Sequence, residues 1–160
     1  MERLLEVYLN KRESIDDFYL KAAYLVSERS TCTRRKVGAI IVRDKIILST
    51  GYNGAPRNIE HCTTKTCIRT KLNIPSGEKH ELCRGGHAEA NAIAQAAMNG
   101  INIKGSTIYC TTQPCVYCAK LMANAGIERI VYSEPYGKGM DELTLEMLQN
   151  IKIEIRECKK

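Results

Sequence analysis

A chain of 160 residues, 44% hydrophobic and 26% charged, has the bulk and balance of one soluble globular domain. Its net charge of +6 is modest and comes without a dense Lys/Arg block. That excludes a basic nucleic-acid-binding arm and leaves attraction of a phosphate-bearing substrate or a solvated surface. No apolar run approaches the roughly 20 residues of a membrane span. The opening Met1-Glu2-Arg3-Leu4-Leu5-Glu6 lacks the basic-then-apolar order of a signal peptide. The cytoplasm is therefore the expected compartment, and eight cysteines there predict metal binding or catalysis rather than disulfides. Trp is absent and Phe18 is the only Phe, so any stacking on a base falls to Tyr or His.

Residues 1–13, polar with a few leucines, read as a short helix or a frayed arm. From Ser14 the pattern turns helical. Ser14 suits a cap, Asp16 and Asp17 suit the positive helix end, and Phe18, Ala22, Leu25 and Val26 recur at helical spacing. This helix fades at Ser30-Thr31-Cys32-Thr33. A β-branched run over 37–42 turns at Asp44-Lys45 into Ile46-Ile47-Leu48, which predicts a hairpin. The segment from about 52 to 86 has weak periodicity and carries His61, Cys62, Cys67, His80 and Cys83. Loops this long in a compact domain are usually functional or held by something.

A helix follows over about 88–99, ended by Gly100, then a strand at 107–111. A further helix over 115–125 is closed by Gly126, and 130–132 is the next strand. The 141–150 segment predicts a helix with Leu143, Met147 and Leu148 facing inward. Ile151, Ile153 and Ile155 then alternate with Lys152, Glu154 and Arg156, the period of a strand with one wet face. This order predicts an α/β fold, three layers (α/β/α) around a central mixed five-stranded sheet. It reads as a single domain over 1–160, with the Cys/His-rich segment as an insertion. Cys110 in a strand and Cys158 in the tail read as inert.

Two helix starts carry the chemistry. Gly85-Gly86-His87-Ala88-Glu89 places an imidazole and a carboxylate two residues apart, and Pro114-Cys115-Val116-Tyr117-Cys118 places two thiols on one turn. A zinc that does chemistry keeps three protein ligands and an open position, and His87, Cys115 and Cys118 supply that set. The helix start favours the thiolate form that a metal requires. Glu89 is then a proton carrier beside the metal rather than a ligand. Cys-x-x-Cys alone is shared with redox pairs and structural zinc knuckles, and Glu89 alone would be a solvated helix-start acid. Together, His-x-Glu followed by Pro-Cys-x-x-Cys is the signature of the zinc nucleobase deaminases.

Further residues resemble the deoxycytidylate (dCMP) deaminase family, within the cytidine/deoxycytidylate deaminase superfamily. The similarity runs from about 27 to 136. It includes Ser30-Thr31-Cys32 before Val37-Gly38-Ala39, Gly51-Tyr52-Asn53-Gly54, His87-Ala88-Glu89-Ala90-Asn91-Ala92-Ile93 and Pro114-Cys115-Val116-Tyr117-Cys118-Ala119-Lys120. Asn91 and the Gly-Tyr-Asn-Gly segment favour this branch over tRNA adenosine deaminases and riboflavin-pathway deaminases. Ala90 departs from the Leu, Met or Gln more common there, which bears on packing.

The resemblance implies a cytidine deaminase-like fold and conversion of dCMP to dUMP and ammonia, feeding thymidylate synthesis. Water attacks C4 at the zinc centre while Glu89 delivers one proton to N3 and a second to the departing amine. It also implies that the Ala88 N–H holds the base carbonyl, that Asn53 contacts the sugar, and that Arg34 and Tyr136 lie near the 5′ phosphate. Asn53 also suits a Tyr-Asn-Gly turn, and Arg34, Arg35 and Lys36 also suit a solvated basic turn. Some members hold a second, structural zinc, which wants four closed ligands. Cys32 and Cys62 match its positions best, with His80 and Cys83 as completers and Cys67 competing. The partners implied are a small nucleotide, dCTP and dTTP as effectors and a homo-oligomer such as a hexamer, with no membrane and no stable nucleic acid. The alternative activity is deamination of another cytosine nucleoside or nucleotide, or of a base within RNA or DNA.

Overall fold

The computed structural model describes residues 12–135, 141–151 and 153–158. Most of the arm at 1–13 and Tyr136 lie outside these residues.

Helix α1 (Ile15–Ser27) starts where Ser14 caps it, its hydroxyl accepting from the Asp17 N–H at 3.1 Å. Its inward face is not the expected one. Phe18 and Leu25 are exposed, while Asp16, Tyr19, Leu20, Ala23 and Ser27 are buried. The reason is a long-range ion cluster. The Asp16 carboxylate, 2% exposed, accepts from Arg129 at 2.7 and 2.8 Å, Arg156 at 2.7 Å and the Tyr109 hydroxyl at 3.0 Å. Anchoring Asp16 rotates Phe18 outward.

Strands β1 (Gly38–Arg43) and β2 (Ile46–Tyr52) form the predicted hairpin. Asp44 and Lys45 both take positive φ, 52° and 64°, as a two-residue turn matched to strand twist requires. The chain continues through a short helix, α2 (Ile68–Lys71), and a 3₁₀ turn (His80–Leu82) to α3 (Ala88–Met98). Then come β3 (Thr107–Thr112), α4 (Val116–Asn124), β4 (Arg129–Glu134), α5 (Asp141–Asn150) and β5 (Glu154–Glu157).

The five strands form one mixed sheet in the order β2-β1-β3-β4-β5. β1 is antiparallel to β2 and β3, whereas β3, β4 and β5 run parallel. Alternation along β1 splits the core in two. Ile40 and Val42 meet Tyr19, Leu20 and Ala23 of α1, with Tyr109 and Val131. Ala39 and Ile41 face the other way, towards Ala92 of α3, Met122 of α4 and Leu148 of α5. The fold is the expected three-layer α/β/α arrangement. On α5, Leu148 and Thr144 are buried (2% exposed each) but Leu143 points outward (58%), so a threonine takes the inward place expected for a leucine. Ile151 also stays exposed (47%), because pairing with β4 begins only at Glu154.

Two close approaches fix α3. Gly51 of β2 lies against its first turns: a Cβ there would sit 2.1 Å from the Ala88 carbonyl oxygen. Asn91 donates its side-chain N–H to the Tyr52 carbonyl at 2.8 Å. The excursion between β2 and α3 is closed at its base by Gly54 and Gly86, which exchange backbone hydrogen bonds of 3.2 and 2.8 Å.

Candidate functional site

His87 is the N-cap residue of α3 and Cys115 that of α4. Both helices start at the same end of the sheet, which brings together residues that are 28 and 31 apart in sequence. His87 Nδ1 lies 3.4 Å from Cys115 Sγ and 3.3 Å from Cys118 Sγ. Among the described residues this is the one His/Cys/acid group whose ligand atoms all fall within 4.8 Å of one another.

The set fits zinc. Tetrahedral bonds of about 2.0–2.3 Å put neighbouring ligand atoms about 3.5–3.8 Å apart, so the observed separations need only a few tenths of an ångström of adjustment. The electrostatics agree. Cys115 is pulled well down by the hydrogen bond that it accepts from the Cys118 thiol, against the opposing effect of burial. Cys118 is pushed up by that same hydrogen bond to Cys115 and by burial. A pair poised to hold negative charge beside an imidazole is a cation-binding set.

Glu89 sits in the first turn of α3, 4% exposed, and burial raises its carboxyl above the usual range. It lines the same cavity as His87 and Cys115, with Ala88 beside it. Ala88 belongs to the first turn of α3, where backbone N–H groups have no partner inside the helix. Asn53 is in the cavity wall, and its amide makes three hydrogen bonds. Its oxygen accepts from Ser30 Oγ at 2.6 Å and from the Val37 N–H at 2.8 Å, while its nitrogen donates to the Arg35 carbonyl at 2.8 Å.

Three arginines line this cavity. Arg35 pairs with Glu134 at 2.8 Å. Arg34 and Arg69 instead donate to the adjacent carbonyls of Ile74 and Pro75, at 2.7 and 3.1 Å, and neither meets a carboxylate among the described residues. Arg69 is 9% exposed and its Nε has no hydrogen-bond partner among the described residues. Sequence reasoning missed Arg69. It lies in the insertion, where no periodicity marks a side chain as inward, and it is one of 24 Lys and Arg residues.

The second cluster of cysteines divides. Cys62, Cys67 and Cys83 line a small cavity next to Arg69. Burial and then the nearby thiols of Cys67, Cys83 and Cys32 push the Cys62 thiol up. His80 lines the larger cavity together with Cys32, Cys62 and Cys83, and both of its ring nitrogens are engaged: Nε2 with the Gly77 carbonyl and Nδ1 with His87. His61 is exposed. Cys110 is buried within β3.

The family model for the cytidine and deoxycytidylate deaminase zinc-binding region matches residues 13–134. The chain belongs to that deaminase family. Deoxycytidylate deaminase of Enterobacteria phage T2 is 37% identical over 169 residues, covering 85% of this chain and 88% of the phage protein. Deoxycytidylate deaminase of Saccharomyces cerevisiae is 36% identical over 146 residues, 91% of this chain but 45% of the yeast protein. The chain thus spans less than half of that yeast family member. The dCMP deaminase of cyanophage S-TIM5, solved in complex with dCMP and dUMP, superposes with a TM-score of 0.73 at 32% identity, over 92% of this deaminase-family chain and 98% of the phage one. The zinc-binding region named by the family model agrees with the zinc that the His87/Cys115/Cys118 set fits.

Proposed function

We propose that the chain is a single deaminase domain that hydrolyses dCMP to dUMP and ammonia, supplying dUMP for thymidylate synthesis. The observation that carries this is one cavity lined by the buried acid Glu89, by His87 and Cys115 of the zinc-fitting set, and by Arg34 and Arg69, which meet no carboxylate among the described residues. A zinc held by His87, Cys115 and Cys118 supplies the Lewis acidity that makes water nucleophilic near neutral pH. Glu89 takes the proton released as water attacks C4 of cytosine and delivers it to N3. It then carries a second proton to the amine, the C4–N bond breaks, and C4 keeps the new oxygen as a carbonyl. Burial keeps the Glu89 carboxyl basic enough to accept these protons and pass them on. The Ala88 N–H holds the base carbonyl. Asn53 shapes the sugar side by bracing residues 30, 35 and 37.

The monophosphate reading rests on Arg34 and Arg69. Arg69 is a buried guanidinium that meets no anion among the described residues, which is costly, and exposed Arg34 bonds the neighbouring carbonyl; a phosphate would supply the missing charge and several acceptors. A structural metal at Cys32, Cys62, Cys67 and Cys83 is supported by the small cavity that Cys62, Cys67 and Cys83 line together. Two zinc ions per chain would bear it out, and one would overturn it. A homo-oligomer is supported by Tyr117 and Leu121 of α4, 66% and 44% exposed, which a second copy would cover. The compartment proposed is the cytoplasm, where eight unbridged cysteines stay reduced. Effects of dCTP and dTTP are read by adding each to the dCMP assay.

The deciding experiment measures ammonia release from dCMP, dCTP, deoxycytidine, cytosine and a tRNA anticodon stem. dCMP is expected to be the best substrate. Preference for deoxycytidine overturns the nucleotide assignment, and turnover of the RNA alone would move the activity to a base within a polymer.

A further inference from the structure

We propose that His80 is a positioning residue that sets the tautomer of His87, so that His87 offers Nδ1 and not Nε2 to the metal. The inference rests on the reading of His87, Cys115 and Cys118 as the zinc site. It starts at a backbone carbonyl. The Gly77 oxygen, 3.0 Å from His80 Nε2, can only accept, so Nε2 of His80 carries the hydrogen. In a neutral imidazole the other nitrogen is then an acceptor, and His80 Nδ1 lies 3.2 Å from His87 Nε2. His87 must therefore donate from Nε2. Its Nδ1 is left with a lone pair, aimed at the two sulfurs 3.3 and 3.4 Å away. The rings meet edge to face, 4.8 Å between centroids at 75°, which is the geometry of an N–H aimed along a neighbour's lone pair rather than of stacking.

The chain of bonds has a structural consequence. Gly77 adopts φ +87°, a left-handed conformation that favours glycine, and the following turn brings His80 over the start of α3. The insertion thus reaches His87 through the His80 side chain. Outer partners that fix a ligand imidazole typically contribute 10–100-fold to metal affinity.

The test measures zinc affinity by chelator competition for the wild type, His80→Leu and His80→Asn, with Cys115→Ser identifying the zinc being measured. His80→Leu is expected to weaken that zinc by about 10–100-fold. His80→Asn, whose Oδ1 can stand in for Nδ1 as acceptor, is expected to recover most of the loss. Nitrogen-15 NMR of the zinc-loaded wild type, labelled at histidine, is expected to show His87 bound through Nδ1 and protonated at Nε2. Unchanged affinity in His80→Leu, equal losses in Leu and Asn, or His87 bound through Nε2 overturns the proposal. If His80→Leu does not fold, the NMR of the wild type decides. Zinc binding unaffected by Cys115→Ser would overturn the site assignment itself, a result distinct from the others.

Discussion

Replacing Gly51 with alanine puts a carbon 2.1 Å from the Ala88 carbonyl oxygen and 2.4 Å from the Ala92 nitrogen. Both are backbone atoms of α3, so no side chain can swing aside. Restoring an ordinary contact of 3.4 Å requires about 1.3 Å of separation between β2 and α3 at that point. Overpacking of this kind costs about 1–3 kcal/mol, which for a domain of this size lowers Tm by about 2–12 °C. The catalytic cost is larger, because Ala88 lies between His87 and Glu89. A displacement near 1 Å of reacting groups lowers turnover by about 100-fold. Gly38→Ala is the control. Its Cβ meets the Ala23 carbonyl oxygen at the same 2.1 Å, but on α1, on the opposite face of the sheet. Melting curves and dCMP turnover per bound zinc separate the two effects. Both variants are expected to lose stability, and only Gly51→Ala to lose turnover by that factor. If both folded variants turn over equally, the coupling of β2 to the catalytic helix is refuted.

Glu89→Gln keeps the shape but cannot carry a proton; turnover is expected to vanish while zinc stays bound, and an active variant would refute the proton-carrier role. Asp16→Asn breaks a buried ion cluster, at about 3–5 kcal/mol near neutral pH by urea unfolding. Arg129 foremost, with Tyr109 and Arg156, holds the Asp16 carboxyl below the ordinary aspartate value of 3.8 against the opposing effect of burial. Its stabilisation is therefore complete above pH 3.8 and lost as pH falls through the lowered folded value. The gap between wild type and variant should close in that acid range, and a gap constant down to acid unfolding would contradict the assignment. Treatment with a chelator is expected to abolish deamination and leave far-UV circular dichroism unchanged, with activity returning on zinc but not magnesium. Full activity in metal-free protein would exclude the mechanism.

The helix starts at His87 and Cys115 were legible because capping, spacing and chemistry all fall within a few residues. The Asp44-Lys45 hairpin was legible for the same reason. What stayed hidden was set at long range. The inward face of α1 depends on Asp16 meeting Arg129 and Arg156, 113 and 140 residues away, and periodicity alone favours Phe18 and Leu25. The exchange of Leu143 for Thr144 on α5 has the same character. The strand order was not legible either, because antiparallel β1 beside β3 is a tertiary choice. His80 carried a signal of its kind, a histidine near cysteines. Its ring nitrogens bond to Gly77 and His87 through a turn that no local rule specifies.

The Gly54–Gly86 bridge also bears on how this family can vary. Once the ends of residues 55–85 are clasped, the entropy of closing the loop grows only slowly, by about 0.6 kcal/mol for each doubling of length. Segments can thus be added to or removed from this excursion at little thermodynamic cost, while β2 and α3 keep their register. Arg69 of the cavity wall rides on that excursion, whereas His87, Glu89, Cys115 and Cys118 ride on helices seated against the sheet. On the proposed function, selectivity and reaction chemistry are thereby carried by separately adjustable parts of one chain.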